Sequence, residues 1–199
     1  MAEYRVRPAT PQDAAAIALI YNQRIEDRLA TLETELRTPE ERRQWLSARS
    51  PRHPVIVADM TEPKTTEPKT TSNRPPTSQS GLAGPATRVP ATAATGPAIA
   101  GWGSLNPFSA RAAYGFVADF SVYVERGWRG KGVGRVLLAR LIELGREHGY
   151  HKLVLSAFPF NKPGVALYEK LGFRTVGVYH EQGMLDGQWV DTIIMEKLL

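Results

Sequence analysis

The stretch VYVERGWRGKGVGRVLL, Val122–Leu138, decides how the rest of the chain reads. Its β-branched and aromatic start gives way to glycines at 127, 130, 132 and 134, which run straight into an amphipathic helix. On that helix Arg135, Arg140, Glu143, Arg146 and Glu147 share one arc, while Val133, Leu137, Leu138, Leu141 and Leu144 lie opposite and must pack on a sheet. Glycines at a helix start let backbone N–H groups converge on an anion. The dinucleotide fingerprint would need its third glycine where Arg135 stands, and a Walker loop would need Lys then Ser or Thr where Val133 and Gly134 stand. What remains is RGKGVG, Arg129–Gly134, whose amides and two cations suit a diphosphate.

Working outward, strand and helix signals alternate on both sides. Tyr4–Arg7 reads as a strand, and Thr10, Pro11 and Asp13 supply the cap, first-position proline and first-turn acid of a helix running to about Asp27. A second short helix follows Thr38-Pro39 and turns Trp45 and Leu46 inward. Val55–Ala58, Ala98–Leu105 and Phe116–Val124 read as strands two to four. After the long helix, Leu153–Ala157 is a short strand of the buried kind, Pro163–Leu171 a helix ended by Gly172, and Arg174–His180 with Trp189–Leu198 a final strand pair. The order β-α-α-β-β-β-α-β-α-β-β is that of an α/β or α+β domain, one domain over residues 1–199. The interruption is Thr61–Pro97, rich in Thr, Pro, Ala, Ser and Gly and carrying TEPKT twice in tandem. Such a segment cannot bury enough apolar surface to offset its ordering entropy, so it is expected to be a disordered insertion between strands two and three. A long loop between paired strands is tolerated because closure entropy grows slowly with length.

Composition narrows the function classes. With 42% hydrophobic and 23% charged residues among 199, the chain can bury one sizeable core. No run is long enough for a membrane span, and the polar start MAEYRVRPATPQD does not resemble a signal peptide, so a cytoplasmic location is expected. Zero cysteines exclude a disulfide scaffold, a thiolate metal site and a cysteine nucleophile. The net charge of +5 mildly favours anionic ligands, but the cations are interleaved with acids, as in ERRQWLSAR, so no nucleic-acid stripe is expected. The four histidines, His53, His148, His151 and His180, lack metal-ligand spacing, and no metal is expected.

The RGKGVG loop, together with FNKPGVALYEKLGFRTVG at Phe160–Gly177, resembles the GCN5-related N-acetyltransferase family. That resemblance implies a mixed, mostly antiparallel central sheet flanked by helices, and acetyl-coenzyme A as cosubstrate. It implies that the backbone of Val122 and Val124 and the loop Arg129, Gly130, Lys131, Gly132, Val133 and Gly134 face the cofactor, with Asn161 bonding the pantetheine amides. Three further stretches, IYNQRIEDRLATLETELRTPEERRQWL (Ile20–Leu46), DFSVYV (Asp119–Val124) and VGVYHEQGMLDGQWVDTIIMEKLL (Val176–Leu199), resemble the phosphinothricin N-acetyltransferase group, most of all its arsinothricin-resistance branch. The implied reaction is acetylation of the α-amino group of a glutamate-like oxyacid amino acid, and a homodimer is implied as well.

An α-amino group has a pKa near 8, so it needs a base before it can attack a thioester. Asp119 stands inside strand four between Ala118 and Phe120, on the face of Ser121 and Tyr123, where a carboxylate needs a reason. The resemblance assigns it the role of base, with Asp in place of the group's usual Glu, which favours a proton relayed through water. It assigns Tyr168 the proton returned to the departing thiolate, where phosphinothricin enzymes often carry His. It places Arg111 and Tyr114 on the substrate's anion and folds Glu35 and Arg37 over the pocket. Two other readings stay open: another acceptor, such as a polyamine or peptide N-terminus, and a non-catalytic acyl-coenzyme A sensor.

Overall fold

The computed structural model describes residues 4–60 and 99–199. The expected insertion therefore lies outside the described residues. The elements are β1 (Tyr4–Pro8), α1 (Ala14–Glu26), α2 (Pro39–Ser47), β2 (Val55–Met60), β3 (Ile99–Pro107), β4 (Val117–Val124), α3 (Val133–Glu147), β5 (Lys152–Ala157), α4 (Lys162–Lys170), β6 (Arg174–Leu185) and β7 (Gln188–Leu198). Their order is the one read from the sequence. They form one seven-stranded sheet in the order β1-β2-β3-β4-β5-β7-β6, antiparallel throughout except between β4 and β5. Among the described residues no helix is long and apolar enough to cross a membrane.

Each face of the sheet carries its own core. On one, Val133, Leu137, Leu138, Leu141 and Leu144 of α3 pack with Leu105, Phe120, Leu153, Leu155 and Met195. On the other, Ile17, Ile20, Tyr21 and Ile25 of α1 pack with Val55, Val57 and Trp102, and Trp45 and Leu46 of α2 close the edge. Helix α3 lies directly on β3 because two positions there have no side chain. A Cβ on Gly101 would stand 3.0 Å from Val133 Cγ1, and one on Gly103 would stand 2.9 Å from Leu141 Cδ1.

Most boundaries move by a residue or two from the sequence reading, and three of the differences have a clear local reason. The first helix is preceded by a 3-10 turn at Pro11–Asp13, because the Asp13 carboxylate turns back to accept from Thr10 N–H at 2.7 Å and from Arg7. Helix α3 stops at Glu147, two residues short of Gly149, which takes the left-handed φ of 72° that ends it. Strand β6 continues past His180 to Leu185 through a bulge between Tyr179 and Gly183. At that bulge Glu181 adopts φ 51° and its N–H donates to Asp191 Oδ1 at 2.8 Å, a substitute for a turn glycine that the sequence does not advertise.

Arg7 clasps the first strand to its neighbours. Its guanidinium donates to Asp13 at 2.7 and 2.9 Å and to Asp59 at 2.7 and 3.1 Å, and both carboxylates are buried. Burial alone would raise the Asp13 carboxyl, but Arg7 and Thr10 outweigh it and hold it below the usual carboxylate range. Arg7→Met should therefore cost about 3–5 kcal/mol at neutral pH, since it leaves two buried acids without their cation. The deficit should shrink as the pH is taken below the ordinary carboxylate range, where the Asp13 carboxyl takes up its proton. Urea denaturation at neutral and at acid pH checks this, and a loss under about 1 kcal/mol at pH 7 would contradict it.

Candidate active site

Strands β4 and β5 pair over three rungs only, Val117 with Lys152, Ala118 with Leu153 and Asp119 with Val154. Beyond Asp119 they separate, β4 keeping its register with β3 as far as Val124 and β5 keeping its register with β7 as far as Ala157. A wedge opens between them, and one edge of β4 is left without a strand. Glu125 N–H donates to Ala100 O at 2.9 Å, so the two-residue alternation turns the amides of Val122 and Val124 away from β3 and toward the wedge. On that side Arg24 Nη2 reaches the Val124 carbonyl at 3.4 Å. An extended ligand bearing amides can add to this edge as a strand would.

The RGKGVG loop closes one end of the wedge. Gly130 and Gly132 take φ values of 75° and 93°, and a Cβ on either would meet nothing within 4 Å, so their backbone faces open space. The first α3 amides with an acceptor are those of Arg135 and Val136, both bonded to Gly132 O, which leaves the Val133 and Gly134 N–H groups for an external anion. Gly134 is required for a second reason: a Cβ there would stand 3.1 Å from Leu167 Cδ2 of α4. Arg129 pairs with Asp27 at 2.6 Å, and the exposed Lys131 lies over the Trp128 ring at 4.6 Å. The residues present fit a diphosphate joined to an amide-bearing chain. Among the described residues no cluster of His, Asp and Glu could hold a metal.

At the fork itself sits Asp119, on the α1 side of β4 with Ser121 and Tyr123. Asn106 Nδ2 is 3.4 Å from its Oδ1 and 3.3 Å from Ser121 Oγ. Burial pushes its carboxyl up to about 6, and the Asn106 hydrogen bond offsets only part of that rise. A carboxylate with this value can hold or release a proton near neutral pH. Tyr168, on α4, packs edge-on against Phe120 at 5.9 Å and against Phe173 at 6.2 Å. Burial pushes its hydroxyl up to about 12, with Arg24 pulling the other way, so it stays protonated and able to donate. Asn161 caps α4, accepting from Gly164 N–H through Oδ1 at 3.3 Å, which leaves its Nδ2 available.

Asp119 opens into a cavity of about 230 Å³ lined by Phe108, Val154, Ser156, Val176, Tyr179 and the Lys152–Glu196 ion pair. Ser156 also lines a second cavity of about 170 Å³, covered by Ala30, Thr31 and Leu32, where the buried Thr192 Oγ1 has no hydrogen-bond partner. Of the segment after α1, the residues that line this second cavity are Ala30–Leu32. Glu35 is exposed, and Arg37 binds Glu33 with Nε at 2.9 Å. Arg111 and Tyr114 are exposed, and the Tyr114 ring lies 5.3 Å from that of the cavity-lining Phe108. Asn106, Phe108, Ser156 and Thr192 had not been singled out. The polar Ser156 inside the otherwise apolar LVLSA run was the one available signal.

The sequence profile of the acetyltransferase (GNAT) family matches residues 56–173. The phosphinothricin N-acetyltransferase of Streptomyces coelicolor is 29% identical over 198 residues, spanning 100% of this chain and 98% of its own. A crystal structure of ribosomal-protein-alanine N-acetyltransferase from Brucella melitensis superposes with a TM-score of 0.76 at 30% identity, covering 98% of this chain and 99% of that one. A phosphinothricin acetyltransferase from Sinorhizobium meliloti, solved with acetyl-coenzyme A, shares the fold at a TM-score of 0.76 and 23% identity, over 98% of this chain and 88% of its own. The strand fork, the glycine loop at a helix start and the profile match agree, and the chain belongs to the GNAT family of acetyl-coenzyme A dependent acetyltransferases.

Proposed function

We propose that this acetyltransferase modifies the α-amino group of a small amino acid whose side chain ends in an oxyacid, of the phosphinothricin or arsinothricin type. The observation that carries the reading is Asp119, a buried carboxylate with a raised pKa, at the fork where the cofactor wedge meets the acceptor cavity. The cavity suits an amino-acid-sized ligand. Arg111 is the cation we assign to the oxyacid, Ser156 offers a hydroxyl inside the cavity, and Thr192 offers one in the cavity beside it. Relatives that acetylate phosphinothricin and methionine sulfoximine support the same class.

Bound acetyl-coenzyme A supplies an activated acetyl thioester. Asp119 takes a proton from the acceptor ammonium, directly or through one water, and the freed nitrogen lone pair bonds to the acyl carbon. The backbone amides of β4 that face the wedge polarise the acyl oxygen. Tyr168 gives its proton to the departing sulfur as the C–S bond breaks, and recovers one from solvent. One of the two protons left on nitrogen is lost to solvent as the amide forms, and the other stays as the amide N–H.

The pH dependence follows with a definite sign. Below about pH 6 Asp119 is protonated and cannot act, so kcat/KM should fall about tenfold per pH unit there. Asp119→Asn should lower kcat about 100-fold or more and abolish that limb, while acetyl-coenzyme A binding changes little. Retention of kcat within about threefold would contradict the assignment. The same substitution should stabilise the protein at pH 7. The folded carboxyl titrates above the unfolded one, so ionising it costs stability on the order of 2–3 kcal/mol, a cost present above pH 6 and absent below pH 4.

Acceptor choice is read by thiol release from acetyl-coenzyme A with phosphinothricin, arsinothricin, methionine sulfoximine, glutamate, a polyamine and a short peptide. Turnover confined to the first three is the expected result. Turnover only on the peptide, the class of acceptor named for the Brucella relative, would move the substrate and keep the mechanism. We also infer a homodimer formed through the β6–β7 hairpin, where the apolar side chains Val178, Met184 and Trp189 lie open. Sedimentation should give twice the chain mass, and a monomer at micromolar concentration would remove this assignment.

A further inference from the structure

The last turn of α1 brings Arg24 to the mouth of the wedge, beside Arg129 of the glycine loop. The ionic arrangement there is unbalanced. Asp27 is the acid between them: Oδ1 accepts from Arg126 Nη2 at 2.7 Å, and Oδ2 makes an ion contact of 2.6 Å with Arg129 Nη2 that lacks hydrogen-bond geometry. Glu26 also serves Arg126, at 3.1 Å. Arg24 is left without a carboxylate among the described residues. Its one recorded bond is the long 3.4 Å contact to the Val124 carbonyl, and its Nε is buried with no acceptor. The Arg129 Nε is likewise buried and unpartnered.

A guanidinium that is partly withdrawn from water and set against another cation is costly. Desolvation, and after it the charge of Arg129, pulls the Arg24 guanidinium down to about 10, with Asp27 offsetting only part of the fall. Packing does not require a charge here, since α1 already docks through Ile17, Ile20, Tyr21 and Ile25. Two guanidinium groups with free Nε donors flanking one end of an anion-accepting loop match the oxygens of a diphosphate, which can receive donors from both sides.

We propose that Arg24 is a second cation for the coenzyme diphosphate, reaching it from α1 across the wedge from Arg129. The unliganded protein holds Arg24 under repulsion, and cofactor binding relieves it. The proposal rests on the family's cofactor and is independent of which amine is acetylated.

Calorimetric binding of coenzyme A and of pantetheine, which lacks the diphosphate, tests it in wild type, Arg24→Met and Arg24→Lys. Arg24→Met should weaken coenzyme A about tenfold or more and leave pantetheine within about twofold, with Arg24→Lys in between. A structural role would lower the melting temperature of the free protein. Here the free Arg24→Met variant should melt at or above the wild-type temperature, while the rise given by coenzyme A shrinks. Coenzyme A affinity kept within about twofold, equal weakening of both ligands, or a lower free melting temperature would each overturn the proposal. So would a raised acceptor KM with coenzyme A affinity intact, which would place Arg24 on the acceptor's carboxylate. Failure of the wild type to bind coenzyme A would remove the cofactor itself, a separately recognisable result.

Discussion

Everything functional in this molecule depends on β4 and β5 being parallel neighbours for three rungs and no more. A sheet whose strands stayed paired would have no unoccupied backbone at its centre, and an edge strand would offer its amides to any passing chain. The fork places unpaired amides deep between two hydrophobic cores, reachable only along the wedge. Each partner of the fork is held by its other neighbour, β4 by β3 and β5 by β7, so the opening survives without a ligand. Chemistry sits at the fork because that is where an extended thioester and a cavity on the α1 face can meet.

The groups around the fork share one physical condition, incomplete compensation. Asp119 is buried with one weak amide partner, Arg24 has no acid of its own, and Thr192 carries a hydroxyl without an acceptor. Elsewhere the protein pairs its buried charges carefully, as Arg7 shows with Asp13 and Asp59. Stability invested in the N-terminal clasp and the α3 face permits deficits where a ligand is to supply the missing partner.

Much of this was legible in the sequence, and the limits have physical causes. Element order and the α3 face followed from periodicity, and the glycine loop from its position between strand and helix. Asp119 drew attention because a carboxylate inside a strand is expensive. What stayed hidden is whatever depends on long-range juxtaposition. Arg24 reads as an ordinary helical cation until β4 and the loop, about a hundred residues on, are placed beside it. Ser156 and Thr192 meet only because β5 and β7 pair antiparallel. The Glu181 bulge was invisible because an aspartate ten residues away does the work usually done by glycine. Glu35 and Arg37 came from resemblance, and the residues of that segment that line the second cavity are shorter neighbours, Ala30–Leu32.

Gly134 has a consequence for how such a gene can be recombined. Its Cα faces Leu167 so closely that a methyl group would not fit without movement, which brings the anion loop and the helix bearing Tyr168 into direct contact. Swapping α3 from a relative without α4 would force two surfaces shaped in different backgrounds against each other at a close contact. A crossover between residues 134 and 167 is therefore a poor joint.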